Sequence, residues 1–266
     1  MMKKLTAILL TMALLLTGAA FAEEEEYPPM PAEAGVFDGF WKCGDMNLTM
    51  DWEEEGFRVD ISLTEDDQKT AEWEYSGFFN AEDCSVVSMP TGRRTNYTYD
   101  DAGNEACSIA YEDGEATFTI DTEGRLRWQD AKEDAGKDLA FVKIGTRQFE
   151  GVWACGRASM EVVFEEEGYR VFISWGSSAA EHTEWEYSCL YNAENNTLEA
   201  MPFGICTDIV MDEKGKVVSS NVRYEDGEAA FVLDADGHLL WQDAKEDAGN
   251  GMAFEWVEMI DISSEG

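Results

Sequence analysis

The sequence predicts an all-β protein made of two tandem antiparallel up-and-down β-barrels. Three observations carry this. The block Trp128-Gln129-Asp130-Ala131-Lys132-Glu133-Asp134-Ala135-Gly136 recurs letter for letter as Trp241 to Gly249, so the chain is an internal duplication. Apolar and polar residues alternate with period two through each copy, the pattern of strands with one face inside and one in water. Gly- and Asp-containing turn signals separate the alternating runs at short intervals.

The chain has 266 residues, of which 44% are hydrophobic, enough for packed cores in both copies. Residues 1–22 read as a secretory signal: Met1-Met2-Lys3-Lys4, a mostly apolar run from Leu5 to Leu16, and an A-x-A cleavage site at Ala20-Phe21-Ala22. The expected mature chain begins at Glu23 and is exported to the periplasm or the extracellular space. Residues 23–36 (EEEEYPPMPAEAGV) are acidic, contain Pro and lack periodicity, and read as a disordered linker.

Repeat one spans 37–144 and repeat two 149–260. Phe37 to Gly44 aligns with Phe149 to Gly156, Glu72-Trp73-Glu74-Tyr75-Ser76 with Glu184 to Ser188, and Tyr111 to Ala116 with Tyr224 to Ala229. Alternation places Phe57, Val59, Ile61 and Leu63 on one face, then Trp73 and Tyr75, then Ala116, Phe118 and Ile120, and finally Leu126 and Trp128. Turns are expected at 54–56, 80–83, 101–104, 113–114 and 121–124, with glycine supplying positive φ and Asp closing the turn. This gives eight or nine strands per repeat in sequence order, a meander whose closure removes exposed edges. The repeated Trp block interrupts the alternation: its Trp ends a strand, Asp130 to Gly136 form a charged turn or short helix, and Gly136 or Gly249 stops it. The four-residue link Gly145 to Gln148 should hold the two domains close together.

The formal charge is −37; loss of residues 1–22 removes Lys3 and Lys4 and no acid, giving −39. That balance excludes nucleic acid and anionic membranes, which need basic surface, and favours cationic partners. Six Cys in an exported chain suggest disulfides, with Cys43 and Cys155 equivalent and Cys84, Cys107, Cys189 and Cys206 without counterparts. No C-x-x-C occurs, and the connectivity stays open.

Gly39-Phe40-Trp41 and Gly151-Val152-Trp153 resemble the G-x-W of the first strand in lipocalins and related calycin barrels, with Phe37 and Phe149 two residues before the Gly. The resemblance implies eight-stranded barrels with a ligand-sized interior and a basic residue over the Trp, a place Lys143 fills in repeat one and Glu and Trp fill in repeat two. The chain is also similar in character to the small acidic periplasmic barrels that inhibit lysozyme.

Two sets of candidate residues follow. Trp41, Trp73, Tyr75 and Trp128, with Trp153, Trp185, Tyr187 and Trp241, point inward; they either line a small-ligand site or fill the bore, which in an eight-stranded barrel is just wide enough for one or the other. Asp130, Glu133 and Asp134, with Asp243, Glu246 and Asp247, either meet a basic partner or form a capped turn whose charges pair locally. Lys132 and Lys245 inside these clusters argue against a metal, and no cofactor is expected. Glu72 and Glu74, like Glu184 and Glu186, lie on an outward strand face where glycosidase chemistry lacks a cleft. Asp234-Ala235-Asp236-Gly237 matches a fragment of a calcium loop without the rest of the ligand series and reads as a hairpin turn. His182 and His238, the only two His, have no metal spacing, and Ser177, Ser178, Glu181 and His182 crowd one loop, which is no triad. The expected function is binding without catalysis: a small apolar ligand held in the barrels, or alternatively capture of a cationic protein or peptide such as lysozyme, with an enzyme third.

Overall fold

The computed structural model describes residues 29–258 apart from 67, 166 and 179, so the expected signal segment and the start of the acidic leader lie outside the described residues, as do Met259 and Ile260. Each repeat forms its own ten-stranded antiparallel sheet. Repeat one contains β1 (Gly39–Cys43), β2 (Met46–Glu53), β3 (Gly56–Asp66), β4 (Lys69–Asn80), β5 (Ser85–Ser88), β6 (Gly92–Tyr99), β7 (Glu105–Gly114), β8 (Ala116–Ile120), β9 (Leu126–Asp130) and β10 (Val142–Gly145). Repeat two contains β11 (Gly151–Cys155), β12 (Ala158–Glu165), β13 (Gly168–Gly176), β14 (Glu181–Asn192), β15 (Thr197–Ala200), β16 (Gly204–Met211), β17 (Val217–Gly227), β18 (Ala229–Leu233), β19 (Leu239–Asp243) and β20 (Ala253–Glu258).

The expected barrel is present, but the meander is not simple. The wall of repeat two closes as an eight-stranded ring through the pairing of β13 with β14. In repeat one the strand path β10-β1-β2-β3-β4-β5-β8-β9 curls round, and its ends meet only through the reciprocal backbone hydrogen bonds of Leu126 and Phe141, 2.9 Å each. The remaining two strands of each repeat form a hairpin outside the ring. The branch point is the twelve-residue strand β4: Gly77–Asn80 pair with β5, whereas Lys69–Glu74 pair with β6. β14 branches in the same way, with Cys189–Asn192 on β15 and Glu181–Glu186 on β16.

Alternation fills both bores. Phe57, Val59 and Ile61 of β3 are buried, as are Tyr169, Val171 and Ile173 of β13. Rings then stack edge to face across each barrel: Trp73 on Trp128 with centroids 5.3 Å apart, Trp185 on Trp241 at 5.0 Å, Tyr75 on Phe118 at 5.9 Å and Tyr187 on Phe231 at 5.7 Å.

The expected disorder of 23–36 does not extend to its last residues. Ala32–Val36 form a 3₁₀ turn that buries Ala34, and Phe37 behind it accepts the Trp41 indole Nε1–H at 2.9 Å on its carbonyl. Arg147–Phe149 make the equivalent turn before repeat two, and Phe149 accepts from Trp153 at the same 2.9 Å. Glycine 56 also departs from expectation. The positive φ of that turn falls on Glu54, while a Cβ on Gly56 would stand 2.4 Å from the Gly77 carbonyl oxygen; glycine is needed there for close approach between β3 and β4.

The short link is a packed joint. The Tyr169 hydroxyl accepts from Thr146 N–H and donates to Thr146 C=O, both at 2.7 Å. Phe40 and Phe164 stack with centroids 3.9 Å apart, Arg147 reaches Asp51 at 2.8 Å, and Lys42 pairs with Glu167. Phe57 occupies the position of Tyr169 in repeat one, where no link needs holding. The disulfide expectation is not met: the six Cys stand as free thiols, with Cys84 and Cys107 exposed and Cys189 and Cys206 buried.

Two outcomes follow. Tyr169→Phe leaves the buried Thr146 amide without its partner and should cost about 1–3 kcal/mol in denaturant unfolding. Brief thiol labelling followed by mass spectrometry should modify Cys84 and Cys107 first. Cys189, whose thiol burial pushes up to about 12, should react only on unfolding.

Candidate functional site

The two copies are most alike where one end of each barrel is closed. β9 and β19 each end in Trp-Gln-Asp, and the chain then folds back over its own Trp as a turn, not as a helix. The turn lies flat because glycine allows it: a Cβ on Gly136 would stand 2.3 Å from the Trp128 carbonyl oxygen and 2.7 Å from its ring, and one on Gly249 2.4 Å from the Trp241 ring. Neither glycine has positive φ, so close approach rather than a helix stop explains them.

The acids of the turn hold it in place. Asp130 is buried, and its carboxylate accepts from the backbone N–H of Lys132 at 3.0 Å and of Glu133 at 3.3 Å. Asp243 does the same for Lys245 at 3.0 Å and Glu246 at 3.1 Å, and for Ala248 at 3.2 Å. Lys132 reaches Asp113 at 2.8 Å and Lys245 reaches Asp226 at 2.7 Å, which ties the turn to the base of the outer hairpin. These ammonium groups hold the Asp113 and Asp226 carboxyls below the usual carboxylate range.

Glu133 and Glu246 also find guanidinium partners, from different strands. Arg94 on β6 pairs with Glu133 and lies over Trp73, 5.0 Å from the ring centroid. The residue that faces Trp185 in place of Arg94 is Cys206, and Arg223 on β17 supplies the charge instead, 2.9 Å from Glu246 and 3.7 Å from the Cys206 sulfur. The ion pair is thus kept while its residue has moved.

The candidate partner-binding acids therefore do not form a free acidic patch. Asp130 and Asp243 are inward caps and Glu133 and Glu246 are paired; only Asp134 and Asp247 stand exposed without a partner among the described contacts, both at positive φ. The eight candidate ligand-binding aromatics, Trp41, Trp73, Tyr75, Trp128, Trp153, Trp185, Tyr187 and Trp241, are each no more than 3% exposed. Trp73, Tyr75 and Trp128 converge with Asp130, and Trp185, Tyr187 and Trp241 with Asp243. Trp41 and Trp153 are instead tied to Phe37 and Phe149 at the 3₁₀ turn before each barrel; Lys143 stands 5.3 Å over Trp41, and Trp256 is the register partner of Trp153 on β20.

Tyr111 and Tyr224 complete this cluster and were not among the candidates. Tyr111 donates toward Asp130 at 3.5 Å, and Tyr224 accepts from the Trp185 indole at 3.0 Å. Burial pushes the phenols of Tyr75 and Tyr187 up. The shared Tyr-Glu-Asp-Gly-Glu-Ala segment signals these tyrosines; nothing in the alignment signals Arg94 and Arg223, which stand at non-equivalent positions. Trp73 Nε1, Trp128 Nε1 and the Tyr75 hydroxyl have no protein partner, nor do Trp241 Nε1 and the Tyr187 hydroxyl.

Outside the ring, a groove of about 630 Å³ runs between the segment 134–139 and the outer face of β8 and β9, lined by Thr117, Thr119, Arg127, Gln129 and Lys137 among others. The turn at 234–238 behaves as a hairpin turn. Asp234 accepts from the backbone N–H of Asp236 and of His238 at 2.9 Å each and pairs with the His238 ring at 3.1 Å. Asp121 makes the same contacts with Glu123 and Arg125, so His238 takes the place of an arginine. The ligand atoms of Asp234, Asp236 and His238 do lie within 4.8 Å of one another. Among the described residues no helix is long and apolar enough to cross a membrane.

The caps make the turn a stability element. Asp243→Ala strands backbone N–H groups beside a buried ring and should cost about 1–3 kcal/mol in denaturant unfolding. Asp247→Gly, at an exposed position with φ of 56°, should be neutral or stabilising by the same assay.

Comparison with protein-family models, with curated protein sequences and with solved structures finds no match, so the functional reading rests on this geometry.

Proposed function

We propose that this chain is an exported binding protein, without catalytic machinery, whose acidic outer surface captures a cationic protein or peptide. The observation that carries the reading is the disposition of charge. Lys42, Arg58, Arg94, Arg125, Arg127, Lys132, Arg147, Arg170, Arg223 and Lys245 are all paired with carboxylates of the same chain. Against 56 Asp and Glu the chain has 19 Lys and Arg, so a large excess of carboxylate faces solvent unneutralised. Such a field raises the encounter rate with cations and repels anions.

The ring-on-ring packing of the bores weighs against a small apolar ligand inside them, because the candidate aromatics occupy one another's space. A small-molecule role would fit the outer groove of repeat one better. Its volume is in the range of ligand sites, and its Thr, Gln, Arg and Lys side chains suit a polar molecule.

Calorimetric titration with lysozyme, a basic protein, tests the reading. Binding should weaken at least tenfold between about 50 and 300 mM salt, as the Debye length shortens from about 14 to about 6 Å. Binding indifferent to salt, or none at low salt, contradicts it.

A further inference from the structure

The hairpin that leaves each barrel ends in a strand with one unused edge. Among the described residues β17 pairs with β16 alone and β7 with β6 alone. These are not short edges: β17 has eleven residues and β7 ten. Such a strand presents a row of backbone N–H and C=O groups to solvent, and proteins ordinarily blunt it with Pro, with Lys or by keeping it short. β17 contains neither Pro nor Lys; its one basic residue, Arg223, is paired with Glu246, and its bulges lie in the pairing with β16. It is exposed on both faces for most of its length and displays Val217, Val218 and Val222 at 50%, 60% and 50% exposure.

Pairing between two copies at this edge would bring together two chains of formal charge −37. The same charge favours a basic occupant, and Glu225 stands exposed at the end of the strand, next to Asp226, which Lys245 already pairs. We propose that the free edge of β17 takes a basic, extended peptide segment with alternate apolar residues as an added antiparallel strand. Backbone hydrogen bonds would give affinity, the valines would receive alternate side chains, and the surrounding carboxylates would select for Lys or Arg. This rests on the cationic-capture reading and names how the partner is held. β7, with Ile109 as its one large exposed apolar residue, is the weaker counterpart.

The test uses the full chain and two synthetic ten-residue peptides of equal charge, one alternating Lys and Val, the other with two of its Val replaced by Pro. Strand addition predicts at least tenfold tighter binding of the first, with new amide protection in hydrogen exchange concentrated in 217–227. It also predicts that Val222→Glu weakens binding several-fold, although added negative charge alone would tighten it. Equal binding of both peptides, or tightening by Val222→Glu, would overturn strand addition and leave charge-driven capture in place. Absence of binding by either peptide at low salt would overturn both.

Discussion

The bore of an eight-stranded barrel has to be filled or occupied, and here aromatic rings fill it. Everything else in each repeat adjusts to that packing. Trp128 and Trp241 need a flat cover, so glycine stands at 136 and 249. Tyr75 and Tyr187 lean against the chain where the outer hairpin begins, so a Cβ on Gly92 or Gly204 would meet their rings at 2.4 Å. The turn over the Trp needs its amides satisfied, so Asp130 and Asp243 are buried as caps. The block that first reveals the duplication is, in this light, the lid of a filled barrel.

The duplication also separates what a site requires from how it is met. Each lid needs a guanidinium for its glutamate, and repeat one takes it from β6 while repeat two takes it from β17. The joint between the copies shows the converse. Tyr169 carries a hydroxyl that Phe57 lacks, because only the second barrel must hold the link. Divergence between the copies includes buried positions: Tyr169 stands in the place of Phe57, and Cys206 in the place of Arg94.

The fold class, the duplication, the inward aromatics and the closeness of the two domains could be read from the sequence, because period-two alternation and a repeated block are local signals. The outer hairpin could not. Its last strands, β7 and β17, lack the period-two alternation of the wall and are exposed on both faces, but that pattern does not say where they pair; the length of β4, which serves two neighbours, decides that β6 leaves the ring. The acids of the lid looked like a surface patch for the same reason: sequence shows that Asp130 and Glu133 are close together, but not that one turns inward to cap and the other meets Arg94 from a distant strand. Gly56, Gly136 and Gly249 were legible as special positions, yet their cause is close approach across the barrel, which spacing along the chain does not express.

The central claim is that partners meet the outside of filled barrels. The most direct measurement follows the indole N–H signals of the nine Trp by NMR while a basic peptide is added. The indoles of Trp73, Trp128 and Trp241 should keep their shifts and exchange slowly with solvent throughout, while backbone amides on the outer strands move. Indole signals from the bores that shift or sharpen on titration would contradict it and place the ligand inside.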